Sequence, residues 1–97
     1  MPGAVRIGDV NSGGGAATGE GAVSVIINGR AACLVGNPVS AHPCCGAPGC
    51  SKHCNAKTTK GSNSVLATGK PINYVGSPDT CGHTRQNGST DVMIPAG

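Results

Sequence analysis

Gly21-Ala22-Val23-Ser24-Val25-Ile26-Ile27-Asn28-Gly29 has two counterparts further along the chain, Gly61-Ser62-Asn63-Ser64-Val65-Leu66-Ala67-Thr68-Gly69 and Gly88-Ser89-Thr90-Asp91-Val92-Met93-Ile94-Pro95. Each has a Gly, a small polar residue three positions later, then Val, then an apolar pair. A companion segment precedes each one: Pro2 to Asp9, Gly29 to Asn37, and Gly69 to Ser77. Three ordered copies of a two-part unit set the architecture of the whole chain. Within a copy, Val23, Val25 and Ile27 alternate with Ser24 and Ile26, which is the period of a strand. Asn28-Gly29 is a two-residue hairpin signal, and Thr68-Gly69 occupies the same place. The expected hairpins are therefore Val25–Ile27 with Ala31–Val35, and Val65–Ala67 with Ile72–Val75. The third strand, Val92–Ile94, ends the chain and takes the opening segment Ala4–Ile7 as its partner. No window free of Gly and Pro carries a helical period. The reading is one all-β domain over residues 1–97, built from three β-hairpin repeats with pseudo-threefold symmetry.

Composition agrees with a small body that has little core. The 97 residues include 17 Gly, 7 Pro and a single Tyr, with no Trp or Phe. A chain this short and this poor in aromatics needs a metal, disulfides or a partner. It carries 6 Cys and 3 His. The sequence opens without a basic flank and apolar run and has no stretch long enough to span a membrane, so synthesis in a reducing cytoplasm is expected, where Cys favours metal over disulfide. A net charge of +3, without a basic cluster or aromatic platform, argues against nucleic acid as a partner.

Aligned on Gly8, Gly36 and Gly76, the units differ in the length of their connections. These span 13 positions from Gly8 to Gly21, 25 from Gly36 to Gly61 and 12 from Gly76 to Gly88. The middle connection holds the insertion Pro38 to Lys60, with His42, Cys44, Cys45, Cys50, His53 and Cys54. The third holds Cys81-Gly82-His83. All three His lie in connections, and His42, His53, His83 and Cys81 are candidate ligands for a closed tetrahedral site of the structural zinc type. Such a closed set leaves no open position for hydrolysis. Cys44, Cys45, Cys50 and Cys54 are rival ligands, or members of a second metal site or a disulfide. Cys33 sits in a strand and reads as a small buried hydrophobe. Gly13-Gly14-Gly15 reads as a flexible loop, since no Lys-Ser/Thr follows it. Arg6 and Asp9 read as a structural pair. The four scattered carboxylates offer no catalytic pair, so the chain is not expected to be an enzyme.

These residues resemble the PAAR-repeat family. The Pro-Ala-Ala-Arg motif with its Gly-Asp continuation is matched by Pro2-Gly3-Ala4-Val5-Arg6-Ile7-Gly8-Asp9, and in worn form by Arg30 to Asn37 and Pro71 to Ser77. The second signature, Gly-Ser-x-x-Val-x-x-Asn-Gly, is matched by Gly61-Ser62 with Val65, Gly88-Ser89 with Val92, and Val25 with Asn28-Gly29. The resemblance covers the whole chain. It implies a cone-shaped β domain whose long loops gather at a metal-bound apex, with zinc, or iron as the alternative, held by three His and one Cys. It implies a structural tip, one chain capping one trimeric β-helical spike, that sharpens the spike for piercing a target membrane. Such tips occur on the baseplate of contractile phage tails and on the VgrG spike of type VI secretion systems. Many members place a His in the first loop; Val10 to Gly15 offers none, so both middle-loop His are needed. The spike-binding base is expected to use Val25, Ile27, Val65, Ala67, Val92 and Ile94. A free-standing zinc-binding interaction module and a small zinc or thiol hydrolase are the competing readings.

Overall fold

A computed structural model describes residues 2–22, 24–42 and 55–96. Among them all regular structure is strand: β1 (Ile26–Ile27), β2 (Arg30–Ala31), β3 (Gly61–Ala67) and β4 (Lys70–Asn73). β1 pairs antiparallel with β2 and β3 with β4, as the turn signals require. Asn28 and Gly29 have φ of 52° and 81°, and Thr68 and Gly69 have 50° and 84°, so both turn residues are left-handed in each hairpin. The third pairing joins the two ends of the chain. Gly3 bridges Met93, Ala4 N–H donates to Val92 O, and Ile94 N–H donates to Pro2 O. The expected strands Ala31–Val35, Ile72–Val75, Ala4–Ile7 and Val92–Ile94 are shorter than read, because much of their pairing is by isolated bridges. Val23, which the sequence pattern places in the first strand, lies outside the described residues.

The three companion segments bond to one another in a cycle. Val5 N–H donates to Asn73 O, Asn73 N–H to Cys33 O, and Cys33 N–H back to Val5 O, at 3.0, 2.8 and 2.9 Å. These residues stand at the same offset before Gly8, Gly36 and Gly76. The neighbouring bridges follow the same rotation: Arg6 with Ala32, Leu34 with Ile72, and Tyr74 with Ala4. So do the connections, in which Asn11 bridges Arg85, Ala17 bridges Val39 and Thr58 bridges Asp79. A buried backbone must satisfy its own N–H and C=O groups. Here three segments do so mutually, without an open strand between them.

Strand alternation then divides the core. Ala4, Ala32, Leu34, Ile72 and Tyr74 face the hairpins and pack with Ile27, Ala67 and Ile94. Val5, Ile7, Cys33 and Val75 face the other way and pack with Ala17. A third small cluster, Val39, Ala56 and Cys81, lies in the connections. Among the described residues most buried apolar side chains are small, as the composition requires, and two buried carboxylates, Asp9 and Asp79, take part in three ion pairs. Asp9 is fully buried and accepts from Arg6 N–H, Arg6 Nε and NH2, Arg30 NH2 and Asn87 Nδ2. The Arg6–Asp9 pair is thus structural, as read. Asp79 and Arg85 pair at 2.9 Å, both side chains fully buried.

The repeated Gly that opens each motif has a steric cause. A Cβ on Gly88 would lie 2.7 Å from Ala4 O and 2.7 Å from Val75 Cγ2; on Gly61, 2.7 Å from Val35 Cγ2 and 3.0 Å from Ile72 O; on Gly21, 2.5 Å from Ala32 O and 2.9 Å from Ile7 Cγ1. The partners are the same two positions of the cycle each time. The Ser that follows in two copies also has a local cause. Ser62 Oγ accepts from Ser64 and Val65 N–H, and Ser89 Oγ from Asp91 and Val92 N–H, folding the chain out of register before the strand resumes. In the second hairpin this appears as the irregularity between Gly61 and Leu66.

Two measurements check this description. Gly88→Ala is expected to destabilise the protein by about 1–3 kcal/mol in chemical unfolding, since a backbone carbonyl cannot move aside as a flexible side chain can. Cys33 behaves as a buried hydrophobe whose thiol is pushed up by burial from 9.0 to about 12. Native Cys33 should therefore resist iodoacetamide at pH 8 and react once the chain is unfolded. The unfolded thiol ionises first, so its contribution to stability is intact below pH 9.0 and is lost as pH rises toward about 12.

Candidate metal centre

The connections bring three of the expected ligands together. His42 from the middle unit and Cys81 and His83 from the third offer ligand atoms that all lie within 4.8 Å of one another. Cys81 Sγ is 3.5 Å from His42 Nε2. The His42 and His83 rings meet edge to face, with centroids 5.2 Å apart and planes at 67°. His42 and Cys81 are buried and His83 is half-buried. His53, Cys44, Cys45, Cys50 and Cys54 lie outside the described residues.

Local backbone places each ligand. Cys81 and His83 flank Gly82, whose φ of +92° turns the chain so that both side chains face one point. Asp79 anchors this turn: its N–H donates to His83 O, and its C=O accepts from Gly82 N–H. In the middle unit, Val39 N–H donates to Ala56 O and Ser40 N–H to Ala16 O, which fixes the chain just before His42. His42 Nδ1 lies 2.9 Å from Ser40 O. A carbonyl only accepts, so Nδ1 carries the proton and Nε2 presents its lone pair toward Cys81. That is the arrangement of a metal-binding His whose other nitrogen is held by the backbone.

The geometry fits a tetrahedral ion. Bond lengths of about 2.3 Å to sulfur and about 2.0 Å to nitrogen put the two ligand atoms roughly 3.5 Å apart. The observed separation of Cys81 Sγ and His42 Nε2 is 3.5 Å. Two imidazoles and a thiolate are borderline-soft donors, suited to zinc or a similar transition metal. The residues present can hold such an ion.

The first connection carries no ligand, but it lies against the site. A Cβ on Gly13 would lie 2.5 Å from His83 Nε2, and one on Gly15 would lie 2.6 Å from His42 Nδ1. Ser12 Oγ lies 3.1 Å from His83 Nδ1. The sequence reading of Gly13-Gly14-Gly15 as a flexible loop misses this packing. The loop is held: Asn11 Oδ1 accepts from Gly13 and Gly15 N–H, at 2.9 and 2.8 Å, and Asn11 Nδ2 donates to Asp79 Oδ2 at 2.8 Å. Arg85 donates to Asp79 Oδ2, to Asp9 O and to Gly15 O. A signal for Ser12 was present in the repeat, since Ser12, Ser40 and Thr80 occupy one offset after the aligned Gly8, Gly36 and Gly76.

The expected base residues are placed unevenly. Ile27, Ala67 and Ile94 are buried in the core, and Val25 and Val65 pack against it. Only Val92, 38% exposed, presents much side chain to solvent. The residues that face out from the hairpins are their neighbours, Ile26, Leu66 and Met93, at 59, 60 and 46% exposure. Ile27, Ala67 and Ile94 face the core, so the outward positions between or beside the expected residues are taken by Ile26, Leu66 and Met93.

No protein-family model matches the chain, and no curated protein matches it significantly.

Metal binding is directly measurable. The protein should bind zinc with a stoichiometry unchanged by Cys33→Ala and reduced by Cys81→Ala, His42→Ala or His83→Ala, as read by metal analysis after gel filtration. At free zinc a hundredfold above Kd, the wild-type stability should rise by about 2.7 kcal/mol, and this increment should vanish in Cys81→Ala.

Proposed function

We propose that this protein is the metal-pinned tip of a trimeric spike, of the PAAR-repeat kind its motifs resemble. One chain caps one trimer of a β-helical spike protein, and the opposite end, held by zinc, leads into the target membrane. The observation that carries this reading is the placement of Ile26, Leu66 and Met93. They stand at the same position in the three repeats, five residues after Gly21, Gly61 and Gly88, and all are exposed. A cyclic arrangement of three apolar side chains on one chain fits a partner with three identical subunits. A single symmetric patch of this size is small, so main-chain pairing to the hairpin edges would supply the rest of the contact.

The other end supports the same reading. The body is longer than wide, with extents of 38 × 23 × 22 Å. The two faces of the backbone cycle pack differently, the hairpins against one and Ala17 of the first connection against the other, which supports a metal centre set apart from the apolar trio. His53 completes the tetrahedral set in this reading, which makes the ion structural. Its role is to hold connections whose apolar cluster, among the described residues, is Val39, Ala56 and Cys81. The protein acts by shape, without catalysis. A phage tail baseplate and a VgrG-type secretion spike are the two settings in which such a tip works.

The test is assembly with a purified trimeric β-helical spike fragment, followed by light scattering on the complex. One chain per trimer is expected, and any other stoichiometry refutes capping. Ile26→Asp, Leu66→Asp and Met93→Asp should each weaken the complex at least tenfold. All three are exposed, so their unfolding midpoints should stay near wild type.

A further inference from the structure

We propose that Ser12, in the ligand-free first connection, is a positioning residue of the metal centre: its hydroxyl accepts the Nδ1 proton of His83 and so directs His83 Nε2 to the ion. The inference rests on the reading of His42, Cys81 and His83 as a metal site. The two imidazoles of that site are held differently. His42 Nδ1 meets a backbone carbonyl, Ser40 O, which can only accept and so fixes its tautomer. His83 Nδ1 meets a hydroxyl, Ser12 Oγ, at 3.1 Å, and the hydroxyl comes from another unit of the repeat.

Comparison of the three units shows what is added at Ser12. At this offset the hydroxyl oxygen accepts a backbone N–H from a neighbouring connection in all of them. Ser40 Oγ accepts from Ala16, Thr80 Oγ1 from Lys57, and Ser12 Oγ from Thr84. That bond ties connections together and explains why Ser or Thr stands there. Only Ser12 also reaches an imidazole. Ser12 Oγ accepts from Thr84 N–H and keeps a second lone pair for His83 Nδ1–H, the tautomer this proposal requires; donation of the hydroxyl proton to Nδ1 instead would place the ring proton on Nε2.

Gly13 and Gly15 complete the cradle. Gly13 stands against the His83 ring, where a Cβ would lie 2.5 Å from Nε2 and 2.6 Å from Cδ2. Neither Gly13 nor Gly15 has a left-handed φ, so backbone freedom does not explain them, whereas the imidazoles beside them do. Asn11 holds both through its Oδ1 and is itself tied to Asp79, two residues before Cys81. The first unit thus supplies orientation where the other units supply ligands.

The experiment compares wild type, Ser12→Ala, Ser12→Thr and Gly13→Ala of the full chain. Zinc affinity is measured by competition with a chromophoric chelator, and long-range proton–nitrogen NMR of the metal-free proteins reads the His83 tautomer. Wild type should show His83 protonated at Nδ1. Ser12→Ala should show a mixture of tautomers and bind zinc about 10–100-fold more weakly. Ser12→Thr keeps the hydroxyl and should restore both readouts to within about threefold of wild type in affinity. Gly13→Ala, allowed by its backbone, should displace the ring and lose more affinity than Ser12→Ala. Unchanged zinc affinity and tautomer in Ser12→Ala overturn the proposal while the metal site stands. So does a Ser12→Thr variant as weak as Ser12→Ala, which would reduce Ser12 to its bond with Thr84. A wild type that takes up no zinc overturns the metal site and this inference together.

Discussion

Everything else in the molecule depends on three backbone hydrogen bonds that close on themselves, Val5 to Asn73, Asn73 to Cys33 and Cys33 to Val5. A cycle of this kind has no edge at its centre, so it needs no further strand to satisfy it. It also brings three chain segments close enough that what packs on them must be small. Among the described residues the buried core is accordingly Ala, Val, Cys, Ile and one Leu, with one Tyr. Gly is obligatory where the returning chain crosses the cycle at Gly21, Gly61 and Gly88. The shortage of large apolar residues is therefore a consequence of the architecture as well as a cost to its stability.

The same closeness explains the polar interior. Backbones packed around an axis leave narrow spaces that large apolar groups cannot enter. Asp9 fills one with its carboxylate, satisfied by five donor groups from Arg6, Arg30 and Asn87. Asp79 and Arg85 fill another and link the first connection to the third. Such pairs add little net stability over an apolar filling, but removal of one partner strands a buried charge. They act as registry devices here. Asp9 joins the first unit to Arg30 of the second and Asn87 of the third, so the units cannot slip past one another without breaking it.

Much of this was legible in the sequence, and the part that was not has a definite cause. The hairpin turns at Asn28-Gly29 and Thr68-Gly69, the pairing of the chain ends, and the burial of Cys33 follow from local chemistry and from the repeat. So does the meeting of His42, Cys81 and His83, because all lie in connections that the repeat sends to one side. The outward face of the hairpins was not legible. Val25-Ile26-Ile27 is apolar throughout, and in such a run period-2 alternation cannot say which residue points inward. The answer is set by contact with Ala4, Ala32 and Ile72 of other segments, which no local pattern contains. Ser12 and Gly13 were missed for a similar reason. Their significance is a contact with His83, some seventy residues away in the chain, and a Gly-rich stretch has the same appearance whether it is free or packed.

The departure from symmetry is as informative as the symmetry. A strict threefold repeat would place three identical groups around the axis, and three identical side chains cannot give an ion two imidazoles and one thiolate. Divergence between units is therefore a requirement of a site with this ligand set, and it has to fall where the cycle tolerates it. The positions three residues after the aligned glycines show how this is met: Asn11, Val39 and Asp79 retain one backbone pattern but carry an amide, an isopropyl and a carboxylate. Asn11 shapes the first connection, Val39 packs with Cys81, and Asp79 anchors both Arg85 and the Cys81–His83 turn. The backbone bonds conserve the frame from unit to unit, while the side chains at that one level assign each connection a different part in building a single site.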